Sequence, residues 1–222
     1  MNNRKAYNLV MSFKRGQGRV LLFLIISMMG IGNVWAQTVS KWDGTTKTAP
    51  DMSENNGSSE ALAIQISNAA ELAWFGEQMS KNTIASGKTY GGKYWKLMAD
   101  IDLGGKSDFA GEDWSGAIGN TTNAFCGYFD GNNHTVSNIQ VKAAATQKYY
   151  GLFPSVQGAS TTNVSTVKNL KINGAYFKAT TSMANTTRIG ALTGYAKQAS
   201  ISNVVISNVN YTYTGDITNE KV

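Results

Sequence analysis

Three stretches, Val136-Ser137-Asn138-Ile139-Gln140-Val141, Val167-Lys168-Asn169-Leu170-Lys171-Ile172 and Ile201-Ser202-Asn203-Val204-Val205-Ile206, repeat one pattern: β-branched, polar, Asn, aliphatic, any residue, β-branched. Their asparagines lie 31 and 34 residues apart. Each stretch has a glycine-led apolar partner upstream: Gly127-Tyr128-Phe129, Gly151-Leu152-Phe153 and Gly190-Ala191-Leu192. A third short line follows two of them, Ala175-Tyr176-Phe177 and Val209-Asn210-Tyr211. Recurrence at this period marks a solenoid, in which each repeat buries its apolar side only against its neighbours. Alternation sends the aliphatic side chains of type Val136, Ile139 and Val141 inward and Lys, Gln and Ser outward. The recurring asparagines are expected at equivalent corners, stacked as a ladder that bonds turn backbone in adjacent coils.

Upstream of the repeats the period changes. Asn68-Ala69-Ala70-Glu71 has the spacing of a capping box, and Leu72, Phe75 and Met79 follow at helical intervals. The spacing predicts a helix over Asn68–Ser80 that covers the open end of the solenoid. From Lys93 to Leu103 the period is two: Trp95, Leu97, Ala99, Ile101 and Leu103 alternate with Lys96, Met98, Asp100 and Asp102. That reads as a strand with one buried face. Asp130-Gly131 is a turn between strands.

The chain has 222 residues and a formal charge of +6. Arg4, Lys5, Lys14, Arg15 and Arg19 carry most of that excess, since the remaining 15 basic residues face 14 acidic ones. These five precede an apolar run from Val20 to Val34, and Val34-Trp35-Ala36 has the form of a cleavage site. Residues 1–36 therefore read as a secretory signal peptide, and the high pI is a targeting signature, not a nucleic-acid-binding one. Residues 37–60 are polar and lack apolar periodicity, so they read as a surface linker, in which Trp42 is an oddity whose docking the sequence does not decide. Residues 61–222 form the repeat domain. Glu220-Lys221-Val222 resembles the lead-in to a further coil, which suggests a domain truncated at its C-terminal end or covered there by a partner.

The order of motifs resembles exported repeat proteins of Bacteroidetes, and Gly151-Leu152-Phe153 with Val167-Lys168-Asn169-Leu170 resembles the GLUG repeat. The resemblance spans roughly Ile64 to Val222, with departures at Pro154 and at Gly190-Ala191-Leu192-Thr193-Gly194. It implies an all-β solenoid, a right-handed parallel β-helix with a short N-terminal capping helix, on a cell surface or secreted. It implies no particular activity.

The residues themselves argue against catalysis. Cys126 is the only cysteine and His134 the only histidine, so neither a disulfide nor a His-based triad or multi-His metal site can be assembled within the chain. Residues 131–215 contain no Asp or Glu, which denies these coils a carboxylate pair or a calcium site. Asp100 and Asp102, two apart on one strand, remain as a candidate cation site or acid pair. No cofactor is expected. The candidate ligand surface is the acid-free basic stretch with its tyrosines: Lys142, Lys148, Lys168, Lys171, Tyr149 and Tyr150. The function expected is that of a non-enzymatic surface adhesin or interaction module facing host or bacterial surface glycans or proteins. Nucleic acid is not an expected partner, and membrane contact is expected only through export or anchoring. The alternatives are a passive stalk, or the non-catalytic part of a secreted polysaccharide-degrading or protease protein.

Overall fold

A computed structural model describes residues 39–81, 90–143, 147–179 and 187–214. The signal-peptide reading of residues 1–36 and the lead-in at 220–222 lie outside the described residues. The elements run β1 (Ser40–Lys41), β2 (Ile64–Ile66), α1 (Ala69–Lys81), β3 (Tyr94–Leu97), β4 (Ile101–Asp102), β5 (Tyr128–Asp130), β6 (Thr135–Ala143), β7 (Tyr149–Tyr150), β8 (Phe153–Gln157), β9 (Ser165–Ala179), β10 (Arg188–Ile189), β11 (Thr193–Lys197) and β12 (Ala199–Tyr213). Every strand pair is parallel and joins one coil to the next. The fold is a parallel β-solenoid of about four stacked turns, with one helix among the described residues.

The coils have three faces. The first stacks β2, β3, β5 and the leading parts of β9 and β12. The second stacks β1, β4, β6 and the trailing parts of β9 and β12. The third stacks β8 and β11, with Phe125 bridged to Val156 beneath them. Register carries the core from coil to coil. Ile64, Trp95, Phe129 and Val167 form one inward column, and Ile101, Val136 and Ile172 another; all are essentially inaccessible. Each such side chain contributes about 1.5–3 kcal/mol by leaving water. The alternation expected over 93–103 holds for burial. The chain nevertheless turns a corner at Met98-Ala99-Asp100, which splits that stretch into β3 and β4.

The asparagines sit at corners in the left-handed region: φ is 58° at Asn138, 53° at Asn169, 49° at Asn203 and 57° at Asn208. Asparagine and glycine tolerate that conformation best. The three quoted stretches are not all in register, which corrects the simple ladder. Asn203 lies over Asn169, but β6 pairs Ser137 with Asn173 and Ile139 with Ala175, so Asn138 lies under Gly174 and Asn208. Two asparagine corners thus recur along the stack, one between the first and second faces and one part-way along the second, and the 31-residue interval joined positions on different ones. The bonds also differ from expectation, running side chain to side chain. Asn203 Nδ2 donates to Asn169 Oδ1 (2.8 Å), Asn169 Nδ2 to Asp130 Oδ1 (3.0 Å), Asn138 Nδ2 to Asp102 Oδ1 (2.9 Å) and Asn208 Nδ2 to Asn173 Oδ1 (2.7 Å).

Helix α1 is capped as its sequence requires: Glu71 N–H donates to Asn68 Oδ1 (3.0 Å), and Glu71 Oε2 accepts from Ser67 N–H (2.7 Å). Its apolar side, with Leu72, Phe75 and Met79 buried, packs under the segment that leads to β5. Phe75 stacks on Trp95 with ring centroids 4.0 Å apart. The Ser80 hydroxyl donates to Ala117 O (3.0 Å), and the Asn123 amide donates to Ser80 O (2.6 Å). The helix therefore occupies the third face one level below Phe125 and closes that end of the core.

The described part of the 37–60 stretch, residues 39–60, is not a free linker. Its Ser40–Lys41 pairs with β4, Trp42 is buried, and the Trp42 ring meets Trp114 edge-on at 5.0 Å. The physical reason is that β4 and Trp114 would otherwise present an unpaired edge and an uncovered ring.

Candidate functional site

The outer side of the first face carries two columns. In register, Tyr94, Tyr128, Thr166 and Ser200 form one, and Lys96, Asp130, Lys168 and Ser202 the other. Tyr94 and Tyr128 stack in parallel, with centroids 4.3 Å apart and planes 12° apart. Their spacing is close to the roughly 4.7–4.9 Å between parallel strands, so the sheet itself aligns the rings. Thr166 is too small to continue the stack. At the level of β9 the column has room for a ring that the protein does not supply.

Residues 56–63 form the wall of this space. Lys93 Nζ donates to Asn56 O (2.7 Å), and Tyr94 N–H donates to Gly57 O (3.1 Å), which fixes the wall to β3. Glu60 reaches across the face to Lys168, Nζ to Oε1 2.6 Å, and Asp130 Oδ2 lies 3.7 Å from the same ammonium. The bond to Glu60, reinforced by the charge of Asp130, raises the Lys168 pKa above its ordinary value despite some burial. The resulting groove has a volume of about 250 Å³ and is lined by Glu60, Tyr94, Lys96, Tyr128, Asp130 and Lys168, among others. An aromatic floor with a few convergent polar groups is the usual make-up of a small-ligand site, and this volume suits one ring-sized group.

The six residues picked out from sequence separate. Lys168 belongs to the groove just described. Lys142 pairs with Asp113 at 2.9 Å, while Lys148 and Lys171 are exposed elsewhere. The basic stretch therefore does not form one patch: acids from residues 60–130 meet Lys142 and Lys168 in space. Tyr149 faces outward and stacks on Tyr195 at 4.9 Å, with the Arg188 guanidinium 5.4 Å from the Tyr195 ring. Tyr150 is only 4% exposed and packs into the core, which corrects its assignment as a stacking residue. The alternation of β7 turns one tyrosine out and the next one in.

Asp100 and Asp102 are divided between two corners. Asp100 Oδ1 accepts from Thr135 N–H (2.9 Å) and lies 3.0 Å from His134 Nδ1; Asp102 Oδ1 accepts from Gly104 N–H (2.8 Å) and from the Asn138 amide. Burial raises the Asp100 pKa, but the Thr135 and His134 contacts outweigh it, and the net value is lowered. A carboxylate with a lowered folded pKa stabilises the fold above its unfolded value of about 4, and that contribution is lost as pH falls through the folded value. Asp100→Asn is therefore expected to flatten the decline in Tm between pH 5 and pH 3, measured by circular dichroism. An unchanged decline would mean that this corner does not sense acid.

Sequence reasoning missed Tyr94, Tyr128, Glu60, Lys96 and Asp130. A signal was present: Tyr94-Trp95-Lys96 and Tyr128-Phe129-Asp130 share the order tyrosine, aromatic, charged, at a spacing of 34 residues.

The fold and this groove define a parallel β-solenoid with a walled aromatic cleft on one outer face. No protein-family model matches the chain, and no solved structure matches it. Among curated proteins the chain is similar to halomucin of Haloquadratum walsbyi (strain DSM 16790 / HBSQ001), with 29% identity over 143 residues. The match covers 62% of this chain and 1% of halomucin.

Proposed function

We propose that the protein is an exported, non-enzymatic surface module that recognises glycans through the groove between Tyr94, Tyr128 and Glu60. The observation that carries the reading is the tyrosine stack that stops at Thr166. A sugar ring has an apolar C–H face that lies on an aromatic ring, and hydroxyls around its rim that need both donors and acceptors. Tyr128 supplies the ring, Glu60 and Asp130 supply acceptors, and Lys96 and Lys168 supply donors. The basic-then-apolar order of residues 1–36 supports export, and the similarity to halomucin is compatible with a structural or surface role. The GLUG-type resemblance supports the same location.

A glycan-array screen of the purified protein, run at low and high salt, tests the proposal. Saturable binding to a defined glycan that survives high salt is the expected result, because stacking is not screened while exposed charges are. Absence of binding by a folded protein would favour a passive stalk.

A further inference from the structure

We infer that the groove takes the end of a glycan chain, one terminal ring lying flat on Tyr128 at the level of Thr166, and not an internal run of sugars. The inference rests on the reading of this groove as a glycan site. It follows from which sides of the space beside Tyr128 are closed. The Tyr94 ring lies against one face of the Tyr128 ring, centroids 4.3 Å apart, so the column admits nothing further there. On the other face Thr166 is the register partner of Tyr128, and Ser200 the partner of Thr166, so the column continues without rings. A ring placed there at the strand spacing of roughly 4.7–4.9 Å lies over Tyr128 as Tyr128 lies over Tyr94.

Two barriers flank that slot. The first is charged. Residues 56–63 lead directly into β2, and Glu60 crosses the face to Lys168 on β9, three coil steps along the register from Ile64 through Trp95 and Phe129 to Val167. The Lys168 ammonium holds Glu60 Oε1 at 2.6 Å and has Asp130 Oδ2 at 3.7 Å, so side chains from three separate segments close this flank. The second barrier is the turn before β9, where the Tyr128 hydroxyl donates to Asn163 Oδ1 (3.4 Å). A chain lying across the face has to pass both, breaking a charge-assisted hydrogen bond at the first. A chain end meets neither obstacle, because its linkage leaves outward or along the column past the small side chain of Ser200. The volume agrees: about 250 Å³ falls below the roughly 300–1,000 Å³ of pockets that enclose drug-sized ligands, and matches one enclosed ring.

Calorimetric titration of the full chain with glucose, galactose, mannose and N-acetylglucosamine, and with linear oligomers of each from two to six residues, reads the result. In whichever series binds, monosaccharide and hexamer are expected to have Kd values within about threefold of each other, because rings beyond the first gain no enclosed contact. Affinity that rises about tenfold or more between one residue and four overturns the inference while leaving the glycan site standing. Thr166→Tyr supplies the missing ring at a half-buried, outward position, and is expected to weaken binding about tenfold or more while the melt stays cooperative. Undiminished binding by folded Thr166→Tyr also overturns the inference, since the slot would then not hold the ligand. No binding by folded wild type in any of the four series or on the glycan array defeats the glycan reading and this inference together.

Discussion

Leu170→Asp is expected to abolish folding, while Lys171→Asp, one residue further on, is expected to leave the fold intact. Leu170 is fully inaccessible, with Val204 over it in register, and Lys171 is exposed. The substitution removes a buried leucine, which alone costs about 2–5 kcal/mol, and leaves a carboxylate or its protonated form without a partner among apolar side chains. Desolvating an unpaired ion adds several kcal/mol. A domain of this size holds about 5–15 kcal/mol in all, so the combined penalty is comparable with the whole stability. Ile139→Asp should behave in the same way, since Ile139 is equally buried beneath Ala175. Far-ultraviolet circular dichroism and thermal melting compare the variants. A cooperative melt in Leu170→Asp like that of the wild type would mean that the inward face is misassigned.

The second large effect falls on the helix. Gly76→Ala is expected to destabilise the protein, although alanine is normally favoured over glycine inside a helix by about 0.5–1 kcal/mol. The sign is reversed by one close approach. A Cβ at position 76 would collide with the carbonyl of Gly116, with Ala117 O a further 3.3 Å neighbour. Backbone cannot swing aside as a side chain can, so α1 must shift away from the segment it covers. Overpacking of this kind costs about 1–3 kcal/mol or more. The displacement would also pull Phe75 off Trp95, so a changed tryptophan emission should accompany a lowered Tm. A raised Tm with unchanged emission would show that α1 does not pack on residues 116–117.

Much of this fold was legible because its physics is local. The capping box at Asn68 and Glu71, the period of two from Trp95 to Leu103 and the inward columns through Ile139 and Leu170 are set by near neighbours in the sequence. The register of the Asn corners was not legible. Asn138 and Asn169 sit in similar local sequences, yet only pairing between coils shows that Asn138 belongs with Gly174, 36 residues on. Glycine and asparagine satisfy the same left-handed corner, so the repeat continued through a residue that the Asn pattern did not count. The groove was hidden for a related reason. Its wall residue Glu60 meets Lys168 across 108 residues, and no periodicity reports such a contact. Charge balance misled in the same way: a stretch without acids looked like a basic surface, but folding sets Lys142 beside Asp113 and Lys168 beside Glu60.

The most direct test of glycan recognition by the first face is a calorimetric titration of the best array ligand into the wild type and into Tyr94→Ala/Tyr128→Ala. Aromatic contacts of this kind contribute about 0.5–1.5 kcal/mol each, so the double variant is expected to bind about tenfold or more weakly. Its melt should remain cooperative, because both rings lie on the outer side of the sheet. Unchanged affinity in a folded double variant would contradict the account and move recognition to another surface, the Tyr149–Tyr195 stack first among them.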